Sequence, residues 1–322
     1  MIEWKFTPDD VARIRLAFSP LGELVRSLIV LRAPARHSLH LPWTKATRPL
    51  LAGLDLAELF ALVPIHGDTA DFLTPPPTSP LPDLDDELAA VRHTPPDQLA
   101  REAADMVGTA APIWQRIQKD PAGAAHRIAD TLQAYWSVAL AEHWPRIRAV
   151  LEADVLWRSQ RLAAGGARLL FEDLHATVKW HGDRVSAADR HHHAAALSGQ
   201  GLVLEPSVMC WPAVRKMIDP YQPTLTYPAR GIATLWENGT PLAPVALAAL
   251  IGRTRASLLI ALTEPATTSA LARRMSITPG AVSQHLGVLL ECGLVTRSRV
   301  GRLVLYHRTR TSDALVANQP QR

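Results

Sequence analysis

Thr278-Pro-Gly-Ala-Val-Ser-Gln-His-Leu286, continuing through Gly287-Val-Leu-Leu-Glu-Cys-Gly293 to Leu294-Val-Thr-Arg-Ser-Arg-Val-Gly-Arg-Leu-Val-Leu-Tyr-His-Arg308, is the stretch from which the fold can be read. Thr278 offers a hydroxyl to cap a helix, and Pro279 suits the first helical position, where no N–H is needed. Gly293 is the expected left-handed terminator. At about 100° per residue, Val282, Leu286 and Leu289 share one narrow arc, which predicts the buried side of a helix over 279–291. The opposite face carries Gly280, Gln284, Gly287 and Glu291, with Ser283 on its edge and His285 nearer the buried arc. Each exposed glycine lowers helix stability by roughly 1 kcal/mol relative to Ala, and close approach to another surface would account for that. The alternative is a plain amphipathic helix that happens to carry glycines.

The segments on either side decide between these readings. Arg255 to Leu262 reads as a helix with Leu258, Leu259 and Leu262 on one side, closed by Glu264-Pro265. A second short helix follows, capped by Thr267 or Thr268 and burying Leu271, Ala272 and Met275. After the third helix, residues 294–308 alternate as a strand, a Gly-containing turn and a second strand, with Arg297, Arg299 and Arg302 at or near the tip. A basic hairpin directly after helix, turn and helix is a wing. Gln284 can read adenine in a major groove, and Thr278 and Ser283 can reach a phosphate or base edge. The arginines would follow the phosphate backbone or the adjacent minor groove, and duplex DNA is the implied partner.

The runs Leu271-Ala-Arg-Arg-Met275, Ser276-Ile-Thr-Pro-Gly-Ala-Val-Ser-Gln-His-Leu286, Leu289-Leu-Glu-Cys-Gly-Leu-Val295 and Val300-Gly-Arg-Leu-Val-Leu-Tyr306 resemble the winged helix-turn-helix of ArsR/SmtB-type bacterial transcription regulators. The resemblance implies that Ser283, Gln284 and His285 contact DNA. It covers about 70 residues and includes no catalytic motif. Further upstream, Asp10-Val-Ala-Arg-Ile-Arg-Leu-Ala-Phe-Ser-Pro20, Leu202-Val-Leu-Glu-Pro-Ser-Val208 and Tyr227-Pro-Ala-Arg-Gly231 resemble the long N-terminal region of unknown role that precedes this module in actinobacterial regulators. Metal sensors of the family use a Cys-x-Cys pair on the helix before the recognition helix. Here Thr267 to Met275 contains no Cys, which excludes that route.

Composition places a boundary near Asn238-Gly239-Thr240-Pro241. All nine tryptophans precede it, and ten arginines without a lysine stand against three acids after it, a balance of +7 within an overall +4. We therefore expect domains at 1–240 and 241–312 and a flexible tail at 313–322. The first domain reads as helical, with patterns at 21–31, 55–63, 97–107, 122–143 and 146–163, the last two split by Pro145. Strands are expected at 2–6, 176–180, 202–205 and 224–227, and five prolines in 74–82 mark a loop. The fold class is mainly α with small β elements: a helical domain with a small strand region, then the winged helix-turn-helix.

The other candidate sites are weaker. Cys210 and Cys292 read as small buried residues. His191-His192-His193, with His175 and His181 nearby, reads either as a metal site or as a solvated loop or helix start, and no metal is assigned. Trp114, Trp136, Trp144 and Trp157 could line an effector pocket or simply belong to the core. No nucleophile elbow, P-loop, zinc-protease or dinucleotide motif appears, so neither catalysis nor a cofactor is expected. No apolar run is long enough to span a membrane and the first residues are not those of an export signal, which leads us to expect a cytoplasmic protein. The expected whole is a homodimeric repressor on an inverted-repeat operator, with a small-molecule effector. The alternative is an enzymatic or protein-docking N-terminal domain fused to a winged-helix interaction module.

Overall fold

The computed structural model describes residues 1–80, 82–107, 112–188, 192–236, 245–262, 265–275, 277–300 and 303–317. The protein is mainly helical with small sheets, and it separates into two compact units, Met1–Trp236 and Glu237–Arg322. Among the described residues no helix is long and apolar enough to cross a membrane.

The first unit opens with strand β1 (Ile2–Lys5) and helix α1 (Pro8–Ala12). The Thr7 hydroxyl accepts from the Asp10 amide while the Asp10 carboxylate accepts from the Thr7 amide, a reciprocal cap. Strand β2 (Arg15–Leu16) leads into α2 (Pro20–Arg32), where the Ser19 hydroxyl accepts from the Gly22 amide at 2.7 Å. Every residue of α2 from Pro20 to Leu31 is buried, so this helix runs through the core. Around it gather α3 (Leu41–Thr47), α4 (Ala57–Leu62), α5 (Leu84–Arg92), α6 (Pro96–Val107), α7 (Pro112–Lys119) and α8 (Pro121–Ala139). Helix α9 (Trp144–Phe171) takes Pro145 into its first turn and loses helical geometry at Gly165 and Gly166. Sequence periodicity does not predict α3, α5 or α7, which are short and flanked by proline or polar turns.

The sheets are larger than the sequence reading suggests. Strands β3 (Val178–Trp180), β4 (Arg184–Ala187) and β5 (His193–Ala196) join β1 in the order β3-β4-β1-β5. Strands β6 (Val203–Ser207), β7 (Arg215–Met217) and β8 (Thr224–Pro228) join β2 in the order β2-β6-β8-β7. In the core beside the first sheet, Trp4 and Phe6 pack with Phe171 and Trp180, and the rings of the last two stack at 5.4 Å.

Buried polar groups need partners, and α2 finds them on the second sheet and the segment after β6. The Arg26 guanidinium donates twice to Glu205 of β6, and Glu23 accepts from the Val208 and Met209 amides at 3.1 and 3.0 Å. Partner chemistry likewise fixes the tautomer of buried His40. Its Nδ1 accepts from the Trp236 indole at 2.8 Å, so Nε2–H donates to the Val208 carbonyl at 3.0 Å.

The second unit contains α10 (Val245–Ile251), α11 (Arg253–Ala261), α12 (Thr268–Met275), α13 (Pro279–Glu291), β9 (Val295–Val300), β10 (Leu303–Arg308) and α14 (Arg310–Ala317). Helix α14 corrects the expectation of a flexible tail from residue 313. The Thr309 amide donates to the Ser312 hydroxyl and the Ser312 amide to the Thr309 hydroxyl, and Leu315 and Val316 then pack on the core of this unit. A capped start and an apolar pair are enough to order a short helix against an existing core. Residues 318–322 lie outside the described residues.

Candidate nucleic-acid interface

Two threonine caps set the helix-turn-helix. The Thr267 hydroxyl accepts from the Ala270 amide at 3.2 Å at the start of α12, and the Thr278 hydroxyl accepts from the Ala281 amide at 3.2 Å at the start of α13. Val282, Leu286 and Leu289 of α13 are buried with Leu258, Leu259, Leu262 and Leu271, which fixes how α13 is rolled on this core. Gly293 ends the helix at φ +66°.

That roll decides what α13 presents. Thr278, Gly280, Ser283 and Gln284 are exposed, and His285 and Gly287 are half-buried. A Cβ added at Gly280 or Gly287 would meet nothing within 4 Å, so neither glycine is required by a neighbour in the described chain. Cys292, at the helix end, is exposed, contrary to the buried packing role expected for it. Cys210 is buried.

Strands β9 and β10 form an antiparallel hairpin with Tyr306 opposite Arg297 and Val304 opposite Arg299. Residues two apart on a strand share a face, so Arg297 and Arg299 project together, and both are exposed. Arg297 has no acidic partner among the described residues. The hairpin is tied to the helices by a bridge in which the Tyr306 amide donates to Ala266 O at 2.9 Å and the Ala266 amide to Tyr306 O at 3.2 Å. Across the strands the Ser298 hydroxyl and His307 Nε2 lie 2.6 Å apart. Arg302 lies outside the described residues.

Not every arginine near this face is equivalent. Arg308 pairs with Asp313 at 2.9 Å, and Arg274 donates to the Ala261 carbonyl at 2.6 Å, so both serve the fold of the unit. Arg273 is exposed in the last turn of α12 and is not among the contacts expected from sequence. Its place beside Arg274 in a short amphipathic helix is the signal that could have marked it.

The other candidate sites come apart in the structure. His193 opens strand β5 instead of a loop or helix start, His175 and His181 bond Thr177 and Ser186, and His191 lies outside the described residues. Among the described residues no three His, Cys, Asp or Glu side chains converge as a metal-ligand set. The four tryptophans do not share one pocket. Trp136 and Trp144 meet edge to face at 5.3 Å, Trp114 packs on the helical core, and Trp157 lies under the Arg230 guanidinium at 3.9 Å.

A helix-turn-helix domain model matches residues 250–298, and a family of unknown function (DUF5937) matches residues 98–233. No curated protein and no solved structure matches the chain. The first match spans α11, α12, α13 and the first part of β9, the elements that form the face described above. Together with the geometry, it supports a DNA-binding transcription regulator that carries a helix-turn-helix domain.

Proposed function

We propose that this chain is an operator-binding repressor of the ArsR-like class. Helix α13 enters the major groove, and the β9–β10 hairpin acts as the wing on the phosphate backbone or in the adjacent minor groove. The observation that carries this reading is the face of α13 that exposes Gly280, Ser283 and Gln284 and carries half-buried Gly287 beside them. Its glycines leave open space in front of the helix, and exposed Arg297 and Arg299 follow on β9. On this reading Gln284 reads a base, and Thr278, Ser283 and His285 contact base edges or phosphates. Arg297, Arg299 and Arg302 neutralise phosphates.

The working species is a homodimer that reads an inverted repeat with half-site centres about 10 bp apart, or a multiple of that spacing. The first unit is a sensing and dimerisation domain without a catalytic role. A small-molecule effector bound there changes operator affinity, and the protein works in the cytoplasm. Sequencing the genomic DNA fragments that the purified protein retains tests this. One enriched inverted repeat upstream of a small set of genes supports the reading, and fragments that share no motif contradict it.

A further inference from the structure

A cavity of about 490 Å³ lies within the first unit, bounded by α2, α6, the segment through Asp68 to Asp71, and strands of both sheets. That volume is in the range of pockets that hold drug-sized molecules. Val25 and Ile29 of α2, Met106 of α6, Met217 and Ile218 give it an apolar lining. Five carboxylates stand on the rest of the wall: Glu205, which is paired with Arg26, and Asp68, Asp71, Glu102 and Asp105. Asp68 and Asp105 are exposed, and Asp71 and Glu102 are half-buried.

The cations that also line the cavity have partners of their own. Arg26 is paired to Glu205 through both guanidinium nitrogens, the Lys216 ammonium donates to the Ala188 carbonyl at 2.9 Å, and Arg215 donates to the Gly67 carbonyl at 3.5 Å. Glu102 is held in place by the Phe72 amide at 2.7 Å, the Gln98 amide at 3.0 Å and the Tyr221 hydroxyl at 2.5 Å. Asp71 has no such support: among the described residues it has neither a hydrogen-bond donor for its carboxylate nor a cationic partner. Burial and the nearby charges of Glu102 and Asp68 push its carboxyl up to about 6. Like charges left together in a partly dehydrated wall are unfavourable, and a bound positive group would relieve them.

We infer that this cavity binds a small organic cation, an ammonium or other onium group carried on an apolar body. An organic cation fits better than a metal ion, because among the described residues the carboxylates do not converge as a ligand set, while the apolar lining suits a hydrocarbon body. The site supplies the ligand class for the sensing role proposed above and rests on that role only for its regulatory meaning.

Isothermal titration of the full chain, without DNA, against tetraphenylphosphonium and tetraphenylborate tests the inference, since the two probes share a shape and differ in charge. The cation should bind at least about tenfold more tightly than the anion, and Asp71→Asn should weaken the cation about tenfold. Asp97→Asn, which alters an exposed acid on α6 outside the cavity, should leave binding unchanged. Because the Asp71 carboxylate accepts no hydrogen bond from a described residue and its charge is disfavoured there, Asp71→Asn should not lower the melting temperature at neutral pH and should raise it if anything, so weaker cation binding is not a loss of fold. Equal affinity for both probes, or cation binding that Asp71→Asn does not weaken, would overturn the assignment. Neither result bears on whether the second unit binds DNA.

Discussion

Arg26 and Glu205 meet through two parallel hydrogen bonds of 2.8 Å, Nη1 to Oε1 and Nη2 to Oε2, with side chains 9% and 4% exposed. The Thr226 hydroxyl donates to the same carboxylate at 2.6 Å, so α2 is joined to both β6 and β8 at one point. Removing one partner leaves an uncompensated buried charge, typically worth about 3–5 kcal/mol. Glu205→Leu should therefore lower the stability of the first unit by about that amount in urea denaturation, and Arg26→Met with Glu205→Leu should lower it less. A double variant less stable than the single one would show that the pair itself, and not the orphaned charge, is what matters.

Glu23 and Glu87 are both buried, and burial pushes each carboxyl up to about 7. Between the ordinary value of 4.5 and about 7 the native state then holds more protons than the unfolded state. Their contribution to stability is therefore fully present below that window and is lost as pH rises through it. Glu87→Gln removes one of these titrations, while its amide oxygen can still accept from Leu21 N–H as Glu87 now does at 2.8 Å. The variant should gain roughly 3 kcal/mol on the wild type between about pH 4.5 and pH 7.5. Urea midpoints across that range check this, and a difference that does not change with pH contradicts it.

Gly287 sits inside α13, and a methyl group added there would meet nothing within 4 Å, so Gly287→Ala separates fold from function. Alanine is the better helix former by about 1 kcal/mol, and the second unit should become more stable by up to that amount. Operator affinity should fall, because the added methyl projects into the space assigned to the duplex. A variant both more stable and equal in DNA binding would take Gly287 out of the interface.

Gln284 and Arg299 should fail in different ways. Gln284→Ala should lose about 1–3 kcal/mol of discrimination against the wrong base pair while keeping most of its affinity for unrelated duplexes. Arg299→Ala should weaken every duplex alike and reduce the salt slope by about one. Competition titrations with operator and scrambled duplexes distinguish the two, and a uniform loss on Gln284→Ala would remove its base-reading role.

The second unit is legible in sequence because its signals are local. Thr278-Pro279 and Gly293 bracket one helix, Val282, Leu286 and Leu289 fix its roll, and the alternation after it gives the hairpin. In the first unit the strands at β1, β3, β6 and β8 are legible but their pairing is not, because β1 and β2 are short and pair with strands far along the chain, β1 with β5 and β2 with β6 in parallel. The full burial of α2 is hidden by Glu23, Arg26 and Ser27, which look solvent-facing until β6, the segment after it and Tyr135 supply their partners. For the same reason the acidic cavity leaves no sequence signal: Asp68, Asp71, Glu102 and Asp105 come together only in three dimensions, whereas the tryptophans stand out in sequence and mark packing.

Whether the second unit grips a duplex is decided by fluorescence anisotropy of a labelled fragment from upstream of the chain's own gene, titrated with the full chain at several salt concentrations. Binding is expected at low salt, with log affinity falling linearly against log salt at a slope of about −0.9 per phosphate neutralised. No binding at low salt, or binding that salt does not weaken, would contradict the DNA-binding role.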